Sequence, residues 1–389
     1  MQPKQQDLRD DISQLIQEGY EVEVRGALVL VHHIPYVNGN KEIKYGTLVA
    51  TIIITTRYAE GVDIHVIDFM GEQPCHADGT VITSIQYVSN EKDLGNGVVV
   101  QRSFSNQPAG GYKDYYEMIT TYAGIIIQQA KLIDEDVTAQ TFQTYHSEEV
   151  DSMFVYDDSN SFRARIGGIS ERLRNLKIGI IGLGGTGGYV LDYIAKTMVS
   201  EIHLFDGDVF YQHNAFRAPG AADKDVFCQE ISKVEYFYSI YKNMHKGIVT
   251  HKGYLREGNM QELDNLDFVF LCVDKGQVRK EITEYICKLN IPVIDCGIGI
   301  NAVDNQLLGQ TRTTLLNPQN NYVSIGKIPL SEREEKDHAY ESNIQIAELN
   351  SLNAVLAVIQ WKKYYGLYQD VSGYDNMVYS INDGELFNE

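Results

Sequence analysis

An α/β chain of two domains is predicted: a doubly wound, mainly parallel sheet preceded by a smaller N-terminal α+β domain. Three observations carry that expectation. An apolar run at 176–182 leads straight into a cluster of glycines, a helical stretch to Met198 and a second apolar run at 201–205, which is the order β-α-β. Further apolar runs at 268–273 and 293–297 alternate with helical patterns at 232–243 and 278–289, as in a parallel sheet covered on both faces. The first third differs, with one helical pattern followed by consecutive strand-like runs.

Taken in order, residues 8–19 read as an amphipathic helix, and 20–32, 45–55 and 62–69 as strands. A helix at 114–132, after Gly110 and Gly111, closes the first domain. The acidic, serine-containing stretch 134–160 is the linker, which gives domains at 1–150 and 151–389. Past the alternating core, 344–365 has apolar residues at helical spacing and meets Gly366 as a C-cap, and 377–387 reads as a last strand.

Composition narrows the function classes. Hydrophobic residues make up 43% and charged residues 22%, enough apolar surface for a sizeable core in 389 residues. With 33 basic against 53 acidic side chains the net charge is −20, so a nucleic-acid phosphate backbone would be repelled and no nucleic-acid partner is expected. Five cysteines with no CxxC pair argue against a zinc site or a disulfide framework and fit a reducing cytoplasm. The polar, acidic start carries no export signal, and no apolar run reaches bilayer length, so no membrane association is expected.

The chemistry concentrates after the first strand of the second domain. In Ile180-Ile181-Gly182-Leu183-Gly184-Gly185-Thr186-Gly187-Gly188, glycine allows a tight strand-to-helix turn and lets backbone amides approach a phosphate at the helix N-terminus. A nucleotide is the expected ligand of this Rossmann-like turn. Asp206, about twenty residues on and followed by Asp208, stands where a carboxylate accepts hydrogen bonds from ribose hydroxyls, in a dinucleotide or an ATP site alike. The continuation through Asn214 and Arg217, a helical Lys233 and a post-strand Asp274 goes beyond what hydride transfer needs. Attack on an α-phosphate builds charge on nonbridging oxygens and on departing pyrophosphate, which cations and Mg²⁺ stabilise. Arg217 and Lys233 supply positive charge and Asp274 a ligand for the metal, although singly a helical lysine is usually solvated and a post-strand aspartate is often a helix cap.

Residues 163–299 resemble the nucleotide-binding core of the E1-like family of ThiF-type and ubiquitin-activating enzymes. The family order GxGGxG, DxD, NxxR, helical Lys and post-strand Asp is matched by Gly182, Gly184, Gly185 and Gly187, by Asp206 with Asp208, by Asn214 with Arg217, and by Lys233 and Asp274. The resemblance implies an adenylyltransferase that uses ATP and magnesium to activate the C-terminal carboxylate of a ubiquitin-like protein, with an E2-like conjugating protein as a further partner. It also implies a homodimer in which an arginine from Phe162-Arg163-Ala164-Arg165-Ile166 crosses to the γ-phosphate, Arg165 before Arg163. The stretch 340–350 resembles bacterial members with an extra N-terminal domain.

The chain departs from the family at several points. Ala218 replaces the glutamine after NxxR, Lys275 replaces the asparagine after the metal aspartate, and both zinc CxxC pairs are missing. Residues 297–389 contain no cysteine, so no thioester forms on a crossover loop there. Cys272 and Cys296 fall in predicted strands as small core residues, and Cys75, in a turn-rich stretch beside His76, is the candidate reactive thiol. The segment 331–338 reads as an exposed part of the crossover. Two rivals to the adenylyltransferase stand: an NAD-dependent oxidoreductase, for which the glycines and Asp206 suffice, and a scaffold that binds nucleotide or a ubiquitin-like protein without turnover.

Overall fold

The computed structural model describes residues 10–51, 65–143, 152–156, 158, 160–161, 166–330 and 344–389. The chain divides into two compact units, Met1–Ser152 with Asp157–Glu171, and Met153–Tyr156 with Arg172–Glu389. Helices of eight residues or more are numbered below.

In the first unit, α1 (Asp10–Gln17) precedes a six-stranded antiparallel sheet. Its strands are β1 (Val22–Arg25), β2 (Leu28–Val37), β3 (Ile43–Thr51), β4 (Val66–Met70), β5 (Gln86–Val88) and β8 (Arg102–Ser105), in the spatial order β1-β2-β3-β4-β8-β5. The run expected as one strand at 20–32 is two, β1 and the start of β2, because Gly26 takes φ +60° and turns the chain between them. Two short strands, β6 (Lys92–Asp93) and β7 (Val99–Val100), pair separately. On one sheet face α2 (Tyr115–Lys131) buries Met118, Ile119, Tyr122 and Ile126 among Val29, Leu48, Phe69 and Phe104. Helix α2 starts where Asp114 accepts the Glu117 amide, a side-chain N-cap.

The second unit is built on an eight-stranded sheet, in the order β11-β10-β9-β12-β13-β14-β15-β16. The strands β9 (Lys177–Ile181), β10 (Glu201–Asp206), β11 (Ile248–Lys252), β12 (Phe268–Leu271) and β13 (Val293–Val303) run parallel. The rest, β14 (Gln306–Leu316), β15 (Asn376–Ser380) and β16 (Leu386–Asn388), add on antiparallel. Three details differ from the sequence expectation. Strand β11 went unread because Ile248-Val249-Thr250-His251-Lys252 is half polar. Strand β13 continues to Val303 and folds back into β14, whose Thr- and Gln-rich sequence hides it. The last strand is a hairpin, β15 and β16.

Helices α3 (Gly185–Ile194), α4 (Lys233–Tyr241) and α6 (Ala347–Tyr364) cover one face, burying Val190, Phe237 and Trp361 with Ile180, Leu204 and Phe270. Helix α5 (Gly276–Lys288) covers the other, with Ile282 and Ile286 against Val269, Leu271 and Val293. Alternate β12 residues therefore feed opposite cores, and all four are buried, which is why the strand reads as unbroken apolar sequence. The chain passes from β9 outward through β10 to β11 and then returns to the far side of β9 as β12. That reversal opens a crevice at the C-terminal ends of β9 and β12, where α/β sheets bind ligands.

Candidate functional site

The glycine turn sits in that crevice, and its glycines have different tasks. Gly182 takes φ +88°, and a Cβ there would lie 2.7 Å from the Cys272 carbonyl at the end of β12. A Cβ on Gly187 would come within 1.8 Å of the Gly182 carbonyl, so close strand-to-helix packing demands glycine at both positions. One on Gly185 would meet the Asn350 side chain at 2.2 Å; this asparagine of α6 also accepts the Thr186 hydroxyl at 2.9 Å. Only open space surrounds a Cβ at Gly184, the N-cap of α3, so the start of that helix has room for a ligand at this position.

Asp206 ends β10 and is nearly enclosed, with a side chain 7% exposed. Its Oδ2 accepts the Leu183 amide at 2.7 Å and its Oδ1 the Asp208 amide at 2.8 Å. Burial raises its pKa, against the pull of Lys233 and of those amides. The carboxylate expected at the ribose is thus a brace between the glycine turn and the strand end, and Asp208, with a side chain 47% exposed, stands at the surface instead. For Asp208, burial pushes upward, but hydrogen bonds from Lys233 and Tyr254, with the charges of Lys233 and Lys275, hold the carboxyl below its ordinary range.

Lys233 begins α4 behind a Ser232 and Glu235 capping box, and its own amide donates to the Asp208 carbonyl at 2.9 Å. Its ammonium is buried, 2.7 Å from Asp208 Oδ2 and 3.7 Å from Asp206 Oδ2. Its side chain, 7% exposed, is thus paired with two carboxylates of the same site.

Asn214 Oδ1 accepts the Tyr211 amide at 2.8 Å and locks the turn 211–215. The Arg217 amide continues that turn to the Asn214 carbonyl at 3.1 Å, and Pro219 lies against the first turn of α3, 3.2 Å from where a Gly188 Cβ would be. Arg217 Nε is buried and has no hydrogen-bond partner among the described residues. Asp274 is exposed three residues beyond β12, followed by exposed Lys275 as N-cap of α5. Asp206 thus bonds directly to the glycine turn, Asp208 and Lys233 join it through Asp206, and Arg217 and Asp274 make no ion pair with these among the described residues.

A cleft of about 440 Å³ adjoins Asp206, lined by Lys252, Gly253, Tyr254, Arg256, Gly258 and Asn259. The Gly253 amide donates to the Asp206 carbonyl at 3.2 Å, and the Tyr254 hydroxyl donates to Asp208. Tyr254 did not emerge from the sequence; its only signal was a turn-rich stretch after an unread strand.

Arg163 and Arg165, and the segment 331–343, lie outside the described residues. Cys75 is described and corrects an expectation. Its side chain is buried, its thiol donates to the Gln73 carbonyl at 3.3 Å, and burial raises its pKa, so the accessible thiolate argued from a turn-rich setting is missing. Cys296 is a buried strand residue, as expected, and Cys272 follows the last residue of β12.

These residues fit a nucleoside triphosphate: a glycine at the N-cap of α3 with room for phosphate, and, on the segment after β10, a buried guanidinium nitrogen without a partner among the described residues. Among the described residues no three His, Cys, Asp or Glu side chains cluster as a metal cage. The exposed Asp274 suits Mg²⁺, which is bound through one or two carboxylates plus phosphates and waters.

The fold is that of an E1-like, ThiF-type protein: residues 159–374 match the ThiF family, and the chain belongs to it. Residues 10–159 match a family described as a domain of unknown function (DUF6791). Two curated relatives are named Ubiquitin-like modifier-activating enzyme 5. That of Dictyostelium discoideum is 24% identical over 148 residues, 35% of this chain and 39% of its own. That of Drosophila virilis is 25% identical over 152 residues, 35% of this chain and 37% of its own, so the chain spans under two-fifths of either relative. A solved structure of PaaA is similar at a TM-score of 0.47 and 15% identity, over 74% of this chain and 91% of that one. Among the described residues no helix is long and apolar enough to cross a membrane.

Proposed function

We propose that this protein is an adenylyltransferase that activates the C-terminal carboxylate of a ubiquitin-like protein with ATP. The observation that carries the reading is the buried Arg217 Nε without a hydrogen-bond partner among the described residues, in a chain of the ThiF family whose glycine turn leaves open space at Gly184. A buried guanidinium nitrogen without an acceptor is costly unless an anion completes it.

In the proposed step a partner carboxylate oxygen attacks the α-phosphorus of ATP. A new P–O bond forms the acyl-adenylate, the bond from the α-phosphorus to its β-bridging oxygen breaks, and pyrophosphate leaves with that electron pair. The carboxylate is already ionised, so no general base is needed. The amides at 182–187 and Arg217 stabilise charge on the phosphates, and Arg165 of a second copy does so at the γ-phosphate. Asp274 holds Mg²⁺, which when bound neutralises phosphate charge. Asp208 and Lys233 act together, the ammonium turning from carboxylate to phosphate if nucleotide displaces the pairing. Without a cysteine in 297–389 the adenylate passes to an acceptor or to a nucleophile on an E2-like protein. The setting we propose is cytoplasmic, within a bacterial conjugation or sulfur-carrier-type pathway, with domains at 1–150 and 151–389 and a homodimer as the working form.

The test is ATP–pyrophosphate exchange with candidate ubiquitin-like proteins. Partner-dependent exchange is expected in the wild type, falling by about 100-fold or more in Arg217→Ala and in Asp274→Ala. Undiminished exchange in both variants, or hydride transfer to NAD in place of exchange, removes the proposal; nucleotide binding without exchange for any partner turns it into the scaffold reading.

A further inference from the structure

Arg279 lies one turn into α5, with a side chain only 7% exposed, and its guanidinium reaches three separate segments. Nη2 donates to the carbonyl of Val273, the residue immediately before Asp274. Nη1 donates to the Pro329 carbonyl at 3.3 Å. Nε stands 2.8 Å from Oδ1 of the fully buried Asp295 on β13, although its N–H is not aimed at that oxygen, so the contact is a charge pairing rather than a hydrogen bond.

Asp295 has a second cation. Arg312 of β14 meets its other oxygen, Oδ2, and also donates to Thr314. Two guanidiniums therefore face one carboxylate, and neutralising Asp295 does not by itself require both. What Arg279 does and Arg312 does not is grip the backbone next to Asp274. Asp274 itself is exposed, on a short stretch between β12 and α5, and no side-chain bond of its own fixes its direction among the described residues.

We infer that Arg279 is a positioning residue: by holding the Val273 carbonyl against α5, β13 and Pro329, it sets the Asp274 carboxylate at the crevice for a nucleotide-bound divalent cation. The inference rests on the proposed function for the role of Asp274. A guanidinium suits the task because its planar fork serves several acceptors at fixed angles, whereas a lysine ammonium is a point charge on a flexible stem.

The experiment is calorimetric binding of a non-hydrolysable ATP analogue to the full chain, titrated with Mg²⁺, for wild type, Arg279→Lys and Arg312→Lys. In Arg279→Lys the Mg²⁺ concentration for half-maximal enhancement is expected to rise about tenfold, the scale typical of residues that orient metal ligands. Analogue affinity in excess chelator stays unchanged, and Arg312→Lys keeps the wild-type Mg²⁺ dependence. If Arg279→Lys fails to unfold cooperatively, Arg279→Gln, which keeps one amide donor for a carbonyl, carries the same expectation. Wild-type Mg²⁺ dependence in the folded Arg279 variant, or an equal shift in Arg312→Lys, overturns the inference alone. A wild-type chain that binds no analogue overturns the proposed function and this inference with it.

Discussion

The two sheets place their polar side chains differently. In the antiparallel sheet of the N-terminal unit they pair across strands: Glu23 of β1 with His32 of β2, His32 with Thr47 of β3, and Asp68 of β4 with Ser103 of β8. The sheet of the C-terminal unit also pairs across its antiparallel strands, Asp295 of β13 with Arg312 of β14, but Asp206, Asp208, Lys233 and Asp274 lie beyond the ends of its parallel strands. The reason is strand direction. Parallel strands all finish at one edge, so the loops that follow them converge; antiparallel strands send successive loops to opposite edges. The same side-chain types thus brace one sheet and assemble a site on the other.

The difference can be broken most severely at the glycine turn. Gly187→Ala drives a Cβ into the Gly182 carbonyl, so unfolding of the C-terminal unit by about 3 kcal/mol and loss of nucleotide binding are expected. Gly184→Ala, whose Cβ meets open space, should leave the fold intact and weaken only nucleotide binding. Peptide-level hydrogen exchange and nucleotide titration separate the two outcomes.

Next comes Lys233→Met, which strands Asp206 and Asp208 without their cation. A cost of about 3 kcal/mol is expected, because removing one partner leaves buried charge uncompensated. It should appear in denaturant unfolding as protection lost from β9, β10 and α4 while the N-terminal sheet stays protected.

Acid sharpens the comparison further. His245 is fully buried, bonded at 3.0 Å to the Val199 carbonyl and at 3.1 Å to the Gly247 amide, and burial lowers its pKa; His203 is lowered by burial too, against the pull of Glu201. Both imidazoles take up protons more readily when unfolded. The stability they contribute is therefore complete above the ordinary histidine pKa of about 6.5 and is lost as pH falls toward their folded values, at up to about 1.4 kcal/mol per pH unit for each. Hydrogen exchange of the C-terminal unit between neutral and mildly acid pH measures it, and a flat profile would contradict it.

A smaller gain belongs to the other unit. Gly124 is exposed within α2 and a Cβ there touches nothing within 4 Å, so Gly124→Ala should stabilise the N-terminal unit by about 0.5–1 kcal/mol in thermal unfolding. The smallest expected effect is none: Cys75→Ala, removing a buried thiol far from any role in adenylation, should leave pyrophosphate exchange at the wild-type rate.

Much of the C-terminal unit was legible because its signals are local. The glycine spacing, the apolar run of β12 and the capping box before Lys233 each lie within a few consecutive residues. Strand β11 and the β13–β14 hairpin were not, since strands supported by neighbours need no strong apolar pattern of their own. Among site residues, Asp206, Asp208, Lys233, Arg217 and Asp274 were readable as a set, but their division of labour was not. Asp206 proves to be a brace and Lys233 a paired cation, both consequences of burial.

The sequence by itself determined which residue types surround the glycine turn and in what order along the chain, because backbone turns and helix starts are set by short-range sterics and hydrogen bonds. Only the tertiary structure decided which of them are free. Whether a carboxylate points at the opening or at a backbone amide, whether Cys75 sees solvent, and that Arg279 ties the backbone beside Asp274 to Pro329 and Asp295, all depend on contacts between residues far apart in the chain. Those contacts fix burial and pairing, and through them the charge each group presents.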